Sequence, residues 1–219
     1  MRPRVLALLL LTCLAQPAAA ALLGLDLFDA GDQLATRDTE SGLDWLDVTA
    51  TQGMSFDAVS AGAGGWTPLG WRHATTAEVC GLLDHAGSAP VTCPGLSFLA
   101  GAAGDPILAL LGMTIQKEVE FPDGTHVLRQ LWAQFDYSEA LAPAPTGLVE
   151  LSVDTNPSGS IQTYVSAQAY YADRGSVHFG YGHLLVRAIP EPGTAALVAA
   201  GLIALGFGRR RRSESEKQP

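Results

Sequence analysis

Cysteine is scarce, with three residues in a chain of 219. Cys13 falls inside an apolar N-terminal run, which leaves Cys80 and Cys93 as an even pair. Their spacing is not Cys-x-x-Cys and only His85 lies near them, so neither a zinc site nor a redox pair is supported; a disulfide is predicted instead. Closing a loop of about 14 residues would stabilise the fold by roughly 3 kcal/mol. Basic residues are also rare between the two ends. Residues 22–189 hold Arg37, Arg72, Lys117, Arg129, Arg174 and Arg187 against nineteen acids, a net charge of −13, whereas the whole chain carries −9. So acidic a surface repels nucleic acid and anionic lipid, which argues against either as a partner of this segment. Catalytic motifs are missing too. No serine sits in a Gly-x-Ser-x-Gly elbow, Gly62-Ala63-Gly64-Gly65 does not continue as a dinucleotide fingerprint, and Asp26, Asp29 and Asp32 lack the spacing of a calcium loop. Asn156-Pro157-Ser158 cannot be glycosylated with Pro in the middle. His73, His85, His126, His178 and His183 are scattered and read as satisfied or surface histidines. His178 and His183, five apart, would face opposite sides of a regular strand. No catalytic residue, metal or cofactor is expected.

What is present lies first at the ends. Met1-Arg2-Pro3-Arg4, the apolar stretch Val5 to Leu14 and the small residues Ala18-Ala19-Ala20 read as a secretory signal peptide cut after Ala20 or Ala21. Cys13 is too early for lipid attachment at the cut. At the other end Pro190-Glu191-Pro192 breaks regular structure. The run Thr194 to Gly208 follows, 15 residues that rise roughly 22 Å as a helix, a marginal transmembrane span. Arg209, Arg210, Arg211 and Arg212 come next and orient the span with the preceding residues on the far side of the membrane. This order of motif, span and basic cluster resembles the PEP-CTERM sorting signal of Gram-negative bacteria. The resemblance implies a transient stay in the inner membrane, cleavage near Pro190-Glu191-Pro192 by an exosortase-type protease, and release to the cell surface.

Between the ends the pattern predicts an α+β domain, with two or three helices in the first half and an antiparallel β-sheet in the second. Leu22 to Leu34 reads as a strand and turn, and Leu43 and Trp45 share one face of a short strand. Ser55 caps a short helix to Ser60 with Phe56 and Val59 inward. Thr75 and Glu78 form a capping box for a helix to about His85, with Val79, Leu82 and Leu83 as its apolar stripe. Pro106 opens a short buried helix. Strands are predicted over 127–137, 147–153, 161–171, 176–179 and 184–188, with turns at Asp123-Gly124, at 156–159 and at Asp173-Arg174-Gly175.

Ser41-Gly42-Leu43-Asp44-Trp45, then Trp71-Arg72-His73-Ala74-Thr75 through Glu78-Val79, and finally Leu185-Val186-Arg187 are similar, in that order, to the Lcl C-terminal type of domain. That resemblance implies a C-type-lectin-like fold. The predicted boundaries are a signal peptide at 1–21, an exported domain at 22–188, a sorting signal at 189–212 and a disordered cytoplasmic tail at 213–219. The function expected is that of an exported, noncatalytic surface or matrix protein held among exopolysaccharide. Two alternatives stand beside it: a carbohydrate-binding module with Trp66 and Arg72 as ligand contacts, and a permanently anchored envelope protein. For Arg72 the competing reading is an internal ion pair with Glu40, Asp44 or Asp47.

Overall fold

The computed structural model describes residues 22–86, 92–99, 101, 104–137, 146–170 and 173–189. The predicted signal peptide, the Pro-Glu-Pro motif, the apolar run and the arginine cluster lie outside the described residues. The chain divides between Ala188 and Ile189. No helix among the described residues is long and apolar enough to cross a membrane.

Among the described residues before that division lie two sheets, three short α-helices and three single 3-10 turns. The smaller sheet has the order β1-β2-β3-β11-β4, from β1 (Leu22–Leu25), β2 (Ala35–Asp38), β3 (Leu43–Leu46), β11 (Leu185–Ala188) and β4 (Arg72–His73). The larger runs β10-β7-β8-β9-β5, with β6 also on β7; its strands are β10 (Gly182–His183), β7 (Gly124–Asp136), β8 (Thr146–Thr155), β9 (Ile161–Tyr170), β5 (Gly95–Leu99) and β6 (Ile115–Phe121). All pairs are antiparallel except β10 with β7. The α+β class therefore holds, but the single late sheet expected from the sequence is two, and the first half supplies most of one of them. The strand read at the start of Leu22 to Leu34 is β1, whereas β2 and β4, of four residues or fewer, are too short to show a period of two and left no clear pattern. The predicted strand at 176–179 is not one. Those residues turn, with the Tyr181 amide donating to His178 O, and bring the chain back to β10.

Helix α1 (Phe56–Ser60) is capped by Ser55, whose Oγ accepts from the Ala58 amide at 3.2 Å. Helix α2 (Thr76–Ala86) starts on the predicted capping box. The Thr75 amide donates to Glu78 Oε2 at 2.8 Å, and the Glu78 amide to Thr75 Oγ1 at 3.3 Å. Its stripe of Val79, Leu82 and Leu83 joins the main core, as do Ile107, Leu108 and Leu111 of α3 (Asp105–Leu111). Against them pack Leu131, Ala133 and Phe135 of β7, Val149, Leu151 and Val153 of β8, and Val165 and Ala167 of β9. Each large side chain so buried contributes about 1.5–3 kcal/mol of transfer free energy.

The smaller sheet is buried on both faces. Trp45 and Val186 face the main core, while Ala35, Leu46 and Leu185 join Val59, Trp66 and Trp71 in a second cluster. Asp44, wholly buried, lies on that second side, directly across from Arg37 on β2 and Arg187 on β11. It accepts from Arg37 Nε at 2.8 Å and from Arg187 Nη2 at 3.2 Å. One carboxylate thus ties three adjacent strands. The last stretch of the domain also joins the two sheets. Gly182 and His183 pair with β7, the Leu184 amide donates to Gln134 O, Leu184 O accepts from the Ala74 amide, and β11 then enters the smaller sheet.

Candidate functional site

At that seam lies a cavity of about 460 Å³ lined by Phe56 and Ser60 of α1, Trp71, Arg72 and His73 at β4, and Asp136 at the end of β7, with Arg174 and Leu185. Pairing of β4 with β11 sets Leu185 opposite His73, which brings together two histidines 110 residues apart. The ring nitrogens make one directed chain. Met54 O can only accept, so His183 Nε2, 3.1 Å away, carries the proton and donates to it. His183 Nδ1 is then bare and accepts from His73 Nε2 at 3.1 Å. His73 Nδ1 is bare in turn, and Ser60 Oγ donates to it at 3.4 Å.

A serine, an imidazole and a third group in line have the outline of a nucleophile, base and orienter. The electrostatics oppose that role. Burial, then His183, then Arg174 push the His73 pKa down to about 3, roughly four orders of magnitude below a base poised at neutral pH. Behind it stands no carboxylate to stabilise an imidazolium, only His183, itself lowered by burial although its bond to Met54 O acts the other way. Phe56 stacks on the His73 ring at 3.8 Å between centroids, and the Arg174 guanidinium covers Phe56 at 4.2 Å. Arg174 also pairs with Asp57 at 3.0 Å. The arrangement holds two neutral rings in fixed tautomers and fastens the turn at 173–175 to α1.

The predicted site residues are placed as follows. Cys80 and Cys93 form a disulfide joining α2 to the approach to β5. Arg72 lines the cavity, but its ion pair is with Glu78, at 2.6 and 2.9 Å, and not with Glu40, Asp44 or Asp47. Glu78 raises the Arg72 pKa and Arg72 lowers that of Glu78. The partner six residues on was closer than the sequence argument allowed, because β4 leads directly into α2. Asp44 is engaged by Arg37 and Arg187. Trp66 is not an open stacking platform: it is 8 % exposed, packs in the second cluster, and has Phe28 at 6.1 Å. His178 stacks on Tyr181 at 4.8 Å and does not meet His183. The sequence reading missed Phe56 and Arg174 as one stack with His73, and a pairing of short strands 110 residues apart left no local signal.

Residues 188–212 match the family model of the PEP-CTERM protein-sorting motif, and the match begins on the last residue of β11. The motif implies a chain exported to the cell surface and processed by an exosortase. No curated protein and no solved structure matches the chain, and the likeness of its exported part to Lcl C-terminal, lectin-like domains finds no support.

Proposed function

We propose that this chain is a noncatalytic surface or matrix protein, delivered through the inner membrane and retained among exopolysaccharide after its tail is cut near Pro190-Glu191-Pro192. The observation that carries the reading is the sorting motif at 188–212. It is supported by the −13 charge of residues 22–189, which keeps a released domain soluble and away from anionic membranes. It is supported also by the cavity at the seam of the two sheets, whose histidine is too weak a base for hydrolysis near neutral pH. Release acts on the chain right after a strand that the domain cannot spare, since β11 lies between β3 and β4. Intact mass of the protein recovered from cells tests the reading. A product starting near Leu22, ending near Pro190 and lighter by two hydrogen atoms for the disulfide is expected. A product that keeps Arg209 to Arg212 would identify a permanently anchored envelope protein instead.

A further inference from the structure

The face of the larger sheet turned away from the main core carries its own built groove. Cross-strand register sets Phe98, Tyr164, Ser152, Gln130 and Ile115 in one row, from β5 through β9, β8 and β7 to β6. The neighbouring row is Gln162, Asp154, Leu128 and Lys117. Between them opens a cavity of about 250 Å³ with Phe98 and Phe121 among its walls and Ser152, Asp154, Gln162 and Tyr164 offering polar groups. Both phenylalanines are open to solvent, Phe98 at 78 % and Phe121 at 42 %. Such rings on a soluble domain mark a contact surface.

The polar groups below them are ordered. Tyr164 donates to Glu150 Oε1 at 2.6 Å, and Gln130 Nε2 donates to Ser152 Oγ at 3.2 Å. Ser152, Gln162 and Tyr164 bring hydroxyl and amide groups to the cavity wall, which suit a ligand that carries both donors and acceptors. Charge narrows its class. Among the described residues that line the cavity the one carboxylate is Asp154, which His126 Nδ1 engages at 2.8 Å, so a cation would find it already occupied. An anion meets a domain of net charge −13. A neutral molecule with an apolar face for aromatic rings and a rim of hydroxyl groups satisfies all of these conditions.

We propose that this groove binds a neutral polysaccharide, one sugar ring seated between Phe98 and Phe121 with its hydroxyls toward Asp154, Gln162 and Ser152. The proposal deepens the matrix reading and rests on it only for the presence of polysaccharide around the released domain. The contact it assigns replaces Trp66, whose ring is buried. The test is affinity electrophoresis of the protein purified from its own cells, in native gels containing dextran, laminarin, xylan or galactomannan, with alginate and glycol chitosan as charged polymers. At least one neutral polymer should retard it, and Phe98→Ala and Phe121→Ala should each weaken that retardation tenfold or more. Phe28→Ala, an exposed ring on the turn after β1, should leave it unchanged. Circular dichroism and the melting temperature establish that each variant is folded. Four results overturn the proposal: no retardation by any neutral polymer, retardation indifferent to both groove phenylalanines, binding to glycol chitosan alone that salt abolishes, or a dimer that Phe98→Ala converts to monomer without changing retardation. Intact mass separates this site from the export reading. A protein that keeps its arginines and still binds through Phe98 leaves the groove standing and removes only the proposed release.

Discussion

Replacing Asp44 by alanine should loosen the smaller sheet from the strand that ends the domain. The carboxylate is wholly buried and receives four N–H donors, from Arg37 Nε and Nη2 at 2.8 and 3.2 Å and from Arg187 Nε and Nη2 at 3.3 and 3.2 Å. Truncation removes those bonds and leaves two guanidinium groups one strand either side of an empty position. Breaking a buried pair in this way costs about 3–5 kcal/mol. Both arginines keep roughly a third of their side chain in water, 34 % and 30 %, and Arg187 retains its place over the Trp71 ring at 4.7 Å. Solvent and stacking soften the loss, so about 2–4 kcal/mol is expected. For a domain of this size that corresponds to a fall of roughly 5–15 °C in Tm. Urea denaturation should show a lower midpoint with an unchanged slope. Asp44→Asn, which keeps shape and one acceptor, should lose less. Combining Asp44→Ala with Arg187→Met should cost less than the sum of the two alone, because the unpaired cation goes with its partner. A loss below about 1 kcal/mol, or strict additivity with Arg187→Met, would refute the claim that one buried carboxylate fastens β11 to its neighbours.

Acid should destabilise the domain before its carboxylates are protonated. The unfolded His73 takes up a proton near 6.5 while the folded one resists until about 3, so stability is complete above pH 6.5 and declines as the pH falls toward 3, by up to about 1.4 kcal/mol per pH unit. The urea midpoint should therefore be lower at pH 4.5 than at pH 7.5, and His73→Leu should flatten the difference; equal slopes with pH in both proteins would exclude His73 as its source. Gly147→Ala on β8 would place its Cβ inside the ring of Phe135, which is fully buried, with an expected loss of about 1–3 kcal/mol or failure to fold. Phe135→Leu in the same chain should recover part of that loss, and its failure to do so would rule out the ring as the obstacle. Reducing the Cys80–Cys93 bond should lower stability by roughly 3 kcal/mol, read from denaturation with and without dithiothreitol, and the Cys80→Ala, Cys93→Ala double variant should no longer respond to reductant.

The local chemistry of this chain was legible in its residues. Thr75 and Glu78 fall three apart before an apolar stripe, Ser55 precedes Phe56 and Val59, and Asn156 to Gly159 separate two β-branched runs; each yields the cap or turn observed because a few neighbouring atoms decide it. The sorting tail was legible for the same reason, since its meaning lies in the order of Pro190-Glu191-Pro192, an apolar run and four arginines. The Cys80–Cys93 bridge followed from there being no other cysteine in the exported part. Tertiary structure alone decided where β11 goes, which gave Asp44 its second arginine, Arg187, and paired His73 with His183, and it alone buried Trp66. It also laid Phe98, Tyr164, Ser152 and Gln130 side by side from four separate strands. Contacts between four-residue strands more than a hundred positions apart leave no periodicity in the sequence; they exist because two apolar faces are buried together, and that burial is a property of the assembled sheets.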